Sequence, residues 1–345
     1  MERNKNLPIA GLLAAAAILI VAGIVAVRIV LERSARSQAA ATFADATAQA
    51  DEAAALRAAQ PIDPAMVGYH EAGTFSVALR EPRALAVDAD QIYVGGDRTV
   101  AHYSGDGKKL AEITIEGEPQ CLAVGAADHI YPGRLYVGME DHVEVHDPQG
   151  KRLAVWESRG PEAVFTSIAA IDREVWVADA GNRLVWRFDA AGKLLGPVGK
   201  PDPSQRPPGF QITSRYFDLA AGSDGLVYVV NPRLLHVEGF TRKGEYETAW
   251  GKGSSSVADF FGCCNPAQLA VLPDGSFVTA EKGMARVKIY SADGRFQTVV
   301  AGPAQLSDTP ADLAADCRGR VLVLDARAAK VRIFEKNSTN MGEQK

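Results

Sequence analysis

Residues 265–302 read NPAQLAVLPDGSFVTAEKGMARVKIYSADGRFQTVVAG, and their spacing predicts four short strands. Gln268 to Leu272 is the first. Pro273-Asp274-Gly275 turns the chain, because proline fixes φ and glycine accepts positive φ. Ser276 to Ala280 is the second strand and Arg286 to Tyr290 the third. Ala292-Asp293-Gly294 turns again, and Phe296 to Val300 completes the unit. Four antiparallel strands alone leave apolar faces uncovered, so the unit must stack on copies of itself.

The copies are present. The first strand recurs around Ala86, Ala123, Ala169, Ala220, Ala270 and Ala314, at steps of 37, 46, 51, 50 and 44 residues. Periods of about 40–50 residues with four strands each indicate a propeller. A small residue recurs mid-strand where six strands crowd one axis. Second strands align at Ile92-Tyr93-Val94, Leu135-Tyr136-Val137, Val175-Trp176-Val177, Val227-Tyr228-Val229, Phe277-Val278 and Leu322-Val323-Leu324. The sixth copy ends near Phe334 without a fourth strand. Thr74 to Leu79, which precedes the first copy, is expected to pair with Val331 to Phe334 and close the ring, removing its exposed edges. The expected fold is all-β: a six-bladed β-propeller of four-stranded blades.

Val175-Trp176-Val177-Ala178-Asp179-Ala180-Gly181-Asn182-Arg183-Leu184, followed by Phe188-Asp189-Ala190-Ala191-Gly192-Lys193, resembles the NHL repeat of six-bladed propellers. The resemblance covers about Thr74 to Glu335, with one close copy and several partial ones. It implies the fold. For function it implies a choice among lyases, hydrolases, sensors and binding modules, since such folds host many activities.

The rest of the chain divides around this unit. Residues 8–31, PIAGLLAAAAILIVAGIVAVRIVL, hold about twenty uncharged residues before Arg28, enough to cross a bilayer as a helix. A cleaved signal peptide normally has a shorter apolar run, so an uncleaved anchor over residues 1–32 is the expectation. Residues 33–65 are alanine-rich and read as a helical stalk or linker, residues 66–337 as the propeller, and residues 338–345 as a polar tail. A short N-terminal tail ahead of one span places the propeller outside the cytoplasm, in the periplasm or its equivalent, although the flanking arginines slightly favour the other orientation. The formal charge of −5 argues against a nucleic-acid footprint.

Connectivity assigns the faces. In such a blade, the loop entering strand one and the loop joining strands two and three share a face. The long inserts, 200–214 and 252–265, both enter a first strand, so this entry face is the elaborated one. Loops on a rigid scaffold carry function. Arg183, Arg215, Arg233, Glu281, Lys282, Arg286 and Arg327 should lie there and are candidates for holding an anionic small ligand or a protein partner. The competing reading has each arginine bracing a neighbouring blade.

Cys263-Cys264-Asn265-Pro266 is the least ordinary stretch. With Cys121, at the entry to the opposite blade, and Glu281 beside it, the pair is a candidate metal or redox site for a soft ion such as copper or zinc. Phe260 and Phe261 are expected to cover it. Against a metal, no C-x-x-C spacing and no first-strand histidine occurs. His142 and His146 read as a surface pair on one strand. No G-x-S-x-G, H-E-x-x-H or P-loop pattern is present. The favoured reading is a non-enzymatic, membrane-anchored binding module. The alternatives are a metal- or thiol-dependent enzyme or redox protein, and a structural subunit of an envelope complex.

Overall fold

The computed structural model describes residues 62–200 and 209–338. The expected anchor, most of the stalk and the C-terminal tail lie outside them. Among the described residues no helix is long and apolar enough to cross a membrane.

Among the described residues, twenty-four strands form six four-stranded sheets. Strand β1 (Tyr69–Ser76) comes first in the chain. Blade 1 follows as β2 (Pro82–Asp88), β3 (Gln91–Gly96), β4 (Thr99–Ser104) and β5 (Lys109–Thr114). Blade 2 is β6 (Cys121–Val124), β7 (Leu135–Gly138), β8 (Val143–His146) and β9 (Arg152–Val155). Blade 3 is β10 (Phe165–Ile171), β11 (Glu174–Asp179), β12 (Leu184–Asp189) and β13 (Leu194–Val198). Blade 4 is β14 (Leu219–Ala221), β15 (Val227–Asn231), β16 (His236–Phe240) and β17 (Tyr246–Trp250). Blade 5 is β18 (Gln268–Val271), β19 (Phe277–Glu281), β20 (Arg286–Tyr290) and β21 (Phe296–Ala301). Blade 6 is β22 (Asp312–Ala315), β23 (Val321–Asp325) and β24 (Lys330–Lys336), completed by β1.

Burial follows position in the blade. Every residue of β7, β15, β19 and β23 is buried, whereas β5, β9 and β17 are mostly exposed. Second strands have a neighbouring blade on both faces and so read as continuous apolar runs. The cores lie between blades. The largest spans blades 3 to 5 and includes Trp176, Phe210, Phe217, Phe240, Phe260 and Phe277.

Ring closure uses an earlier segment than the sequence predicted. The closing strand starts at Tyr69, paired with Lys336, and ends at Ser76, paired with Lys330, with a bulge between Glu71 and Gly73. Val77 and Leu79, expected in the strand, are instead buried in the core between blades 6 and 1. A recurring contact shows that β1 acts as an ordinary fourth strand. Each turn from third to fourth strand carries a positive-φ glycine pressed against the outer strand of the preceding blade. Gly150 meets Ile113, Gly192 meets Trp156, Gly244 meets Val198 and Gly294 meets Trp250. Gly107 of blade 1 meets Phe75 of β1 in the same way, and a Cβ there would stand 2.5 Å from the ring. Both φ and space therefore require glycine.

Candidate functional site

The entry face is organised by one position, the end of the second strand. Its side chain reaches back to catch the loop entering its own blade. Asp179 Oδ1 accepts the Val164 N–H at 2.9 Å and the Asn182 N–H at 3.0 Å. Asn231 Oδ1 accepts the Gln211 N–H at 2.9 Å. Glu281 Oε1 accepts the Phe261 N–H at 3.3 Å, and Asp325 Oδ2 accepts the Ser307 N–H at 3.2 Å. In blade 1, Asp97 accepts the N–H groups of Arg80 and Glu81 at 2.5 and 3.0 Å. These loops lack a ladder partner, and the side chains satisfy buried backbone donors that would otherwise be costly.

The same residue has a partner seven positions on, across the sheet on the third strand. Asp179 accepts from Trp186 Nε1 at 2.8 Å, and Asn231 donates to Glu238 Oε1 at 2.9 Å. Glu281 lies 3.3 Å from Lys288 Nζ, and Asp325 accepts from Arg332 Nε at 2.9 Å. Four blades solve one geometry with four chemistries.

Blade 5 has the most highly charged solution. Glu281, Arg286 and Lys288 are all at most 1% exposed. Arg286 Nε meets Glu281 Oε2 at 2.5 Å. Lys288 Nζ also donates to the carbonyls of Val257 and Asp259 at 3.1 and 2.8 Å, and lies over the rings of Phe260 and Tyr290. Burial brings its ammonium down to about 8, against the pull of the Glu281 charge. Phe260, expected over the cysteines, covers this lysine. Glu281 and Arg286, two of the candidate ligand-binding residues, are therefore held within the blade rather than presented at the mouth.

Cys263 and Cys264 sit on the same blade's entry loop, as connectivity required. Cys264 is 4% exposed and has φ of 69°, whereas Cys263 is exposed. Asn265 latches the turn: its amide donates to the Phe261 carbonyl at 2.6 Å, and its carbonyl oxygen accepts the Lys282 N–H at 2.6 Å. Cys264 Sγ lies 3.2 Å from Thr213 Oγ1. Burial raises the Cys264 thiol, but the Thr213 hydroxyl bonded to it, with the Lys282 charge, helps to outweigh this and leaves the thiol below its ordinary range. Cys263 moves up, through burial and then the Cys264 charge.

Cys121 belongs to a different set. One residue per blade, at the entry-side end of the first strand, lines the axis: Ala84, Cys121, Ser167, Asp218, Gln268 and Asp312. Several clamp the next blade. Ser167 Oγ accepts the Leu219 N–H at 3.2 Å, Asp218 Oδ2 accepts the Leu269 N–H at 2.6 Å, Gln268 Nε2 donates to the Ala311 carbonyl at 2.7 Å, and Asp312 Oδ2 accepts the Leu85 N–H at 2.7 Å. Burial raises Asp218 to about 6. Asp312 is pushed well up by burial and then by the Asp218 charge. Cys121 is raised by burial and by both carboxylates, so it is a buried thiol kept protonated. Among the described residues, no group of three or more His, Cys, Asp or Glu side chains is arranged to hold a metal ion.

The remaining candidates are at the surface. Arg183, Arg215, Arg233 and Arg327 are exposed and Lys282 is half-buried. Arg215 pairs with Glu140 at 2.5 Å, and Arg327 lies 3.7 Å from Asp308. Arg183 holds the left-handed position before the third strand, shared in other blades by Arg98, Leu235, Ala285 and Ala329. The expected surface pair of histidines is not one. His146 is buried against Glu144 at 3.0 Å, while His142 pairs with Asp141. Glu144, two residues earlier on the third strand β8 and on the same side of it, draws His146 inward, which alternation alone did not reveal. A cavity of about 490 Å³ lies on the opposite face, at the seam of blades 6 and 1, bordered by Asp90, Asp106, Arg318 and Arg320. No candidate residue from the sequence borders it.

No protein-family model matches the chain, and no curated protein matches it by sequence. Solved structures do. A streptogramin B lyase superposes with a TM-score of 0.53 at 12% identity, over 80% of this chain and 100% of that one. The virginiamycin B lyase of Staphylococcus aureus gives a TM-score of 0.55 at 13% identity, over 79% and 90%. The WD40 β-propeller domain of Doa1 gives 0.53 at 13% identity, over 79% and 98%. At such identities the likeness shows the propeller fold alone.

Proposed function

We propose that this chain is a membrane-anchored, NHL-like propeller whose entry face is an extracytoplasmic binding surface for an anionic group, carried by a small ligand or by an acidic segment of a protein partner. One observation supports it most. Arg183 and Arg233, on neighbouring blades 3 and 4, are exposed and have no ion-pair partner among the described residues. Arg286 and Arg332, by contrast, are tied to carboxylates of their own blades, Glu281 and Asp325. Exposed guanidinium groups on rigid loop ends suit bidentate capture of carboxylate or phosphate. Arg327 and Lys282 extend the positive rim to blades 5 and 6. The anchor rests on the uncharged run before Arg28.

The test is titration of the full-length protein with small dicarboxylates and phosphorylated compounds, against Arg183→Glu/Arg233→Glu and a control reversal away from the entry face, Arg295→Glu, at an exposed turn between third and fourth strands. Loss of about tenfold or more in affinity in the double variant is expected, the scale of one charge-assisted hydrogen bond. Equal binding by parent and double variant would overturn the assignment of the site. Carbonate washing of membranes and the intact mass test the anchor. A carbonate-soluble mature form starting near Ala40 would replace it with a cleaved leader.

A further inference from the structure

We propose that the cavity of about 490 Å³ at the seam of blades 6 and 1 is a binding site for a neutral polyhydroxylated molecule, a mono- or disaccharide. This does not depend on the anion-binding reading, since the cavity is on the opposite face and uses none of that rim's arginines.

The cavity exists because the closing strand is cut back there. Counted from the residue that meets the turn glycine, the position three earlier is Leu110, Leu153 and Leu195 in the outer strands of blades 1 to 3, and Glu247 in blade 4. In β1, counted from Phe75, it is Ala72, the extra residue of the bulge, and Gly73 follows. A Cβ added at Gly73 would meet nothing nearer than Ile333 Cδ1 at 4.0 Å, so the space is open. Its volume is in the range of small-molecule sites. The walls come from β1, from the two turns of blade 1 that hold Asp90 and Asp106, and from blade 6 through the Arg318 turn and the end of β24.

The lining selects a polar ligand without net charge. Its strongest charges cancel within the protein: Arg318 holds both oxygens of Asp90, and Arg320 Nε donates to Asp316 Oδ2 at 2.6 Å. What remains is a spread of single donors and acceptors. Gln91 Oε1 accepts from His102 Nε2 at 2.6 Å, which leaves its amide NH₂ without a partner among the described residues. Asp106 takes the Ser104 hydroxyl on one oxygen. Glu335 is exposed, and its carboxylate has no partner among the described residues. An anion would stand beside those two carboxylates. A cation would gain them but meet the Arg318 and Arg320 guanidinium groups and leave the Gln91 NH₂ unanswered. An apolar molecule would strip water from charged groups and replace none of its hydrogen bonds. Hydroxyl groups both donate and accept, so neighbouring hydroxyls of one sugar serve the amide and the carboxylates together. Phe75 and Ile333 border the cavity and supply apolar surface for the C–H face of a ring.

A molecule bound here touches β1, blade 1 and blade 6, the pieces that ring closure joins. It therefore stabilises the closed ring by mass action.

The experiment titrates the full-length protein with glucose, galactose, N-acetylglucosamine and trehalose, with spermidine as a cationic comparator, and follows melting temperature and hydrogen exchange. Saturable binding of at least one saccharide is expected, with a raised melting temperature and slowed exchange of amides in β1 and the Asp106 turn, while blades 3 and 4 are unchanged. Ala72→Leu supplies the side chain that blades 1 to 3 carry, and should abolish that binding while melting, without ligand, like the parent. Glu335→Ala removes an exposed, unpaired carboxylate and should also melt like the parent. It should weaken the saccharide about tenfold, the scale of one charge-assisted hydrogen bond. No saturable saccharide binding, protection confined to other blades, or parental affinity in both variants would overturn the proposal. Stronger protection of the seam by spermidine than by any saccharide would overturn the ligand class.

Discussion

Blades 3 and 5 hold their entry loops at the same backbone position in opposite ways. In blade 3, Asp179 collects neutral donors: two backbone N–H groups, the Asn182 amide and the Trp186 indole. In blade 5, Glu281 collects one backbone N–H and two cations, Arg286 and Lys288, all buried. The first solution leaves one negative charge spread over four hydrogen bonds. The second removes three charges from water and recovers the cost only through their mutual geometry. A repeat thus fixes where a side chain stands and leaves open what holds it there. The blade with the expensive solution is also the one that carries the cysteine turn, which is bonded to Glu281 through the Phe261 N–H.

Four measurements sharpen or break this contrast. Glu281→Ala should have the largest effect, a loss of about 3–5 kcal/mol in chemical denaturation, because it leaves two buried cations without their carboxylate. A loss below about 1 kcal/mol would mean that water already reaches the triad. The next effect is in pH. The Lys288 ammonium is lowered from 10.5 to about 8 on folding, so the unfolded chain binds more protons between those values. Stability contributed by this group is lowest below pH 8 and rises toward pH 10.5, a change on the order of 3 kcal/mol. Lys288→Met lacks that rise. Against the parent, it should fall behind by this amount between pH 7.5 and 10.5, and parallel curves would refute the assignment. Asp179→Asn comes third, at about 1–3 kcal/mol, since an amide NH₂ must then face two donors. An unchanged midpoint would show that the Asp179 latch carries no energy. Smallest is Lys288→Met itself at neutral pH. The relief of a buried charge offsets the two carbonyls left without a donor, and the variant should melt within about 1 kcal/mol of the parent.

The fold was legible because its signal is repetition. Alanines at 86, 123, 169, 220, 270 and 314 sit where six strands crowd together, and only small residues fit at that place. The spacing of seven between Asp179 and Trp186, Asn231 and Glu238, Glu281 and Lys288, and Asp325 and Arg332 was also in the sequence. It escaped notice because the partners share a position and not a chemistry. Connectivity placed Cys263, Cys264 and Lys282 on one face correctly. It did not separate Arg286 from Arg183, which stand one repeat position apart: Arg286 is the first residue of its third strand, directly opposite Glu281, whereas Arg183 holds the left-handed position before the third strand, where blade 5 has Ala285. The axial carboxylates Asp218 and Asp312 went unremarked for a related reason. A lone aspartate before Leu-Ala reads as a turn residue until the next blade's N–H is seen above it.

The closing strand has a consequence for how the ring is made. Tyr69 pairs with Lys336 and Ser76 with Lys330, so the first strand of the propeller to leave the ribosome finds its partner only when the last one emerges. Blades 1 to 5 can each form from contiguous chain as they are synthesised. Throughout that time β1 has no sheet to join, and Phe75 cannot take its place against Gly107. Blade 1 is therefore the earliest blade built and the last to be finished on its outer side. Closing the ring requires a single long-range pairing between the beginning and the end of the same domain, and loop-closure entropy makes such pairings slow.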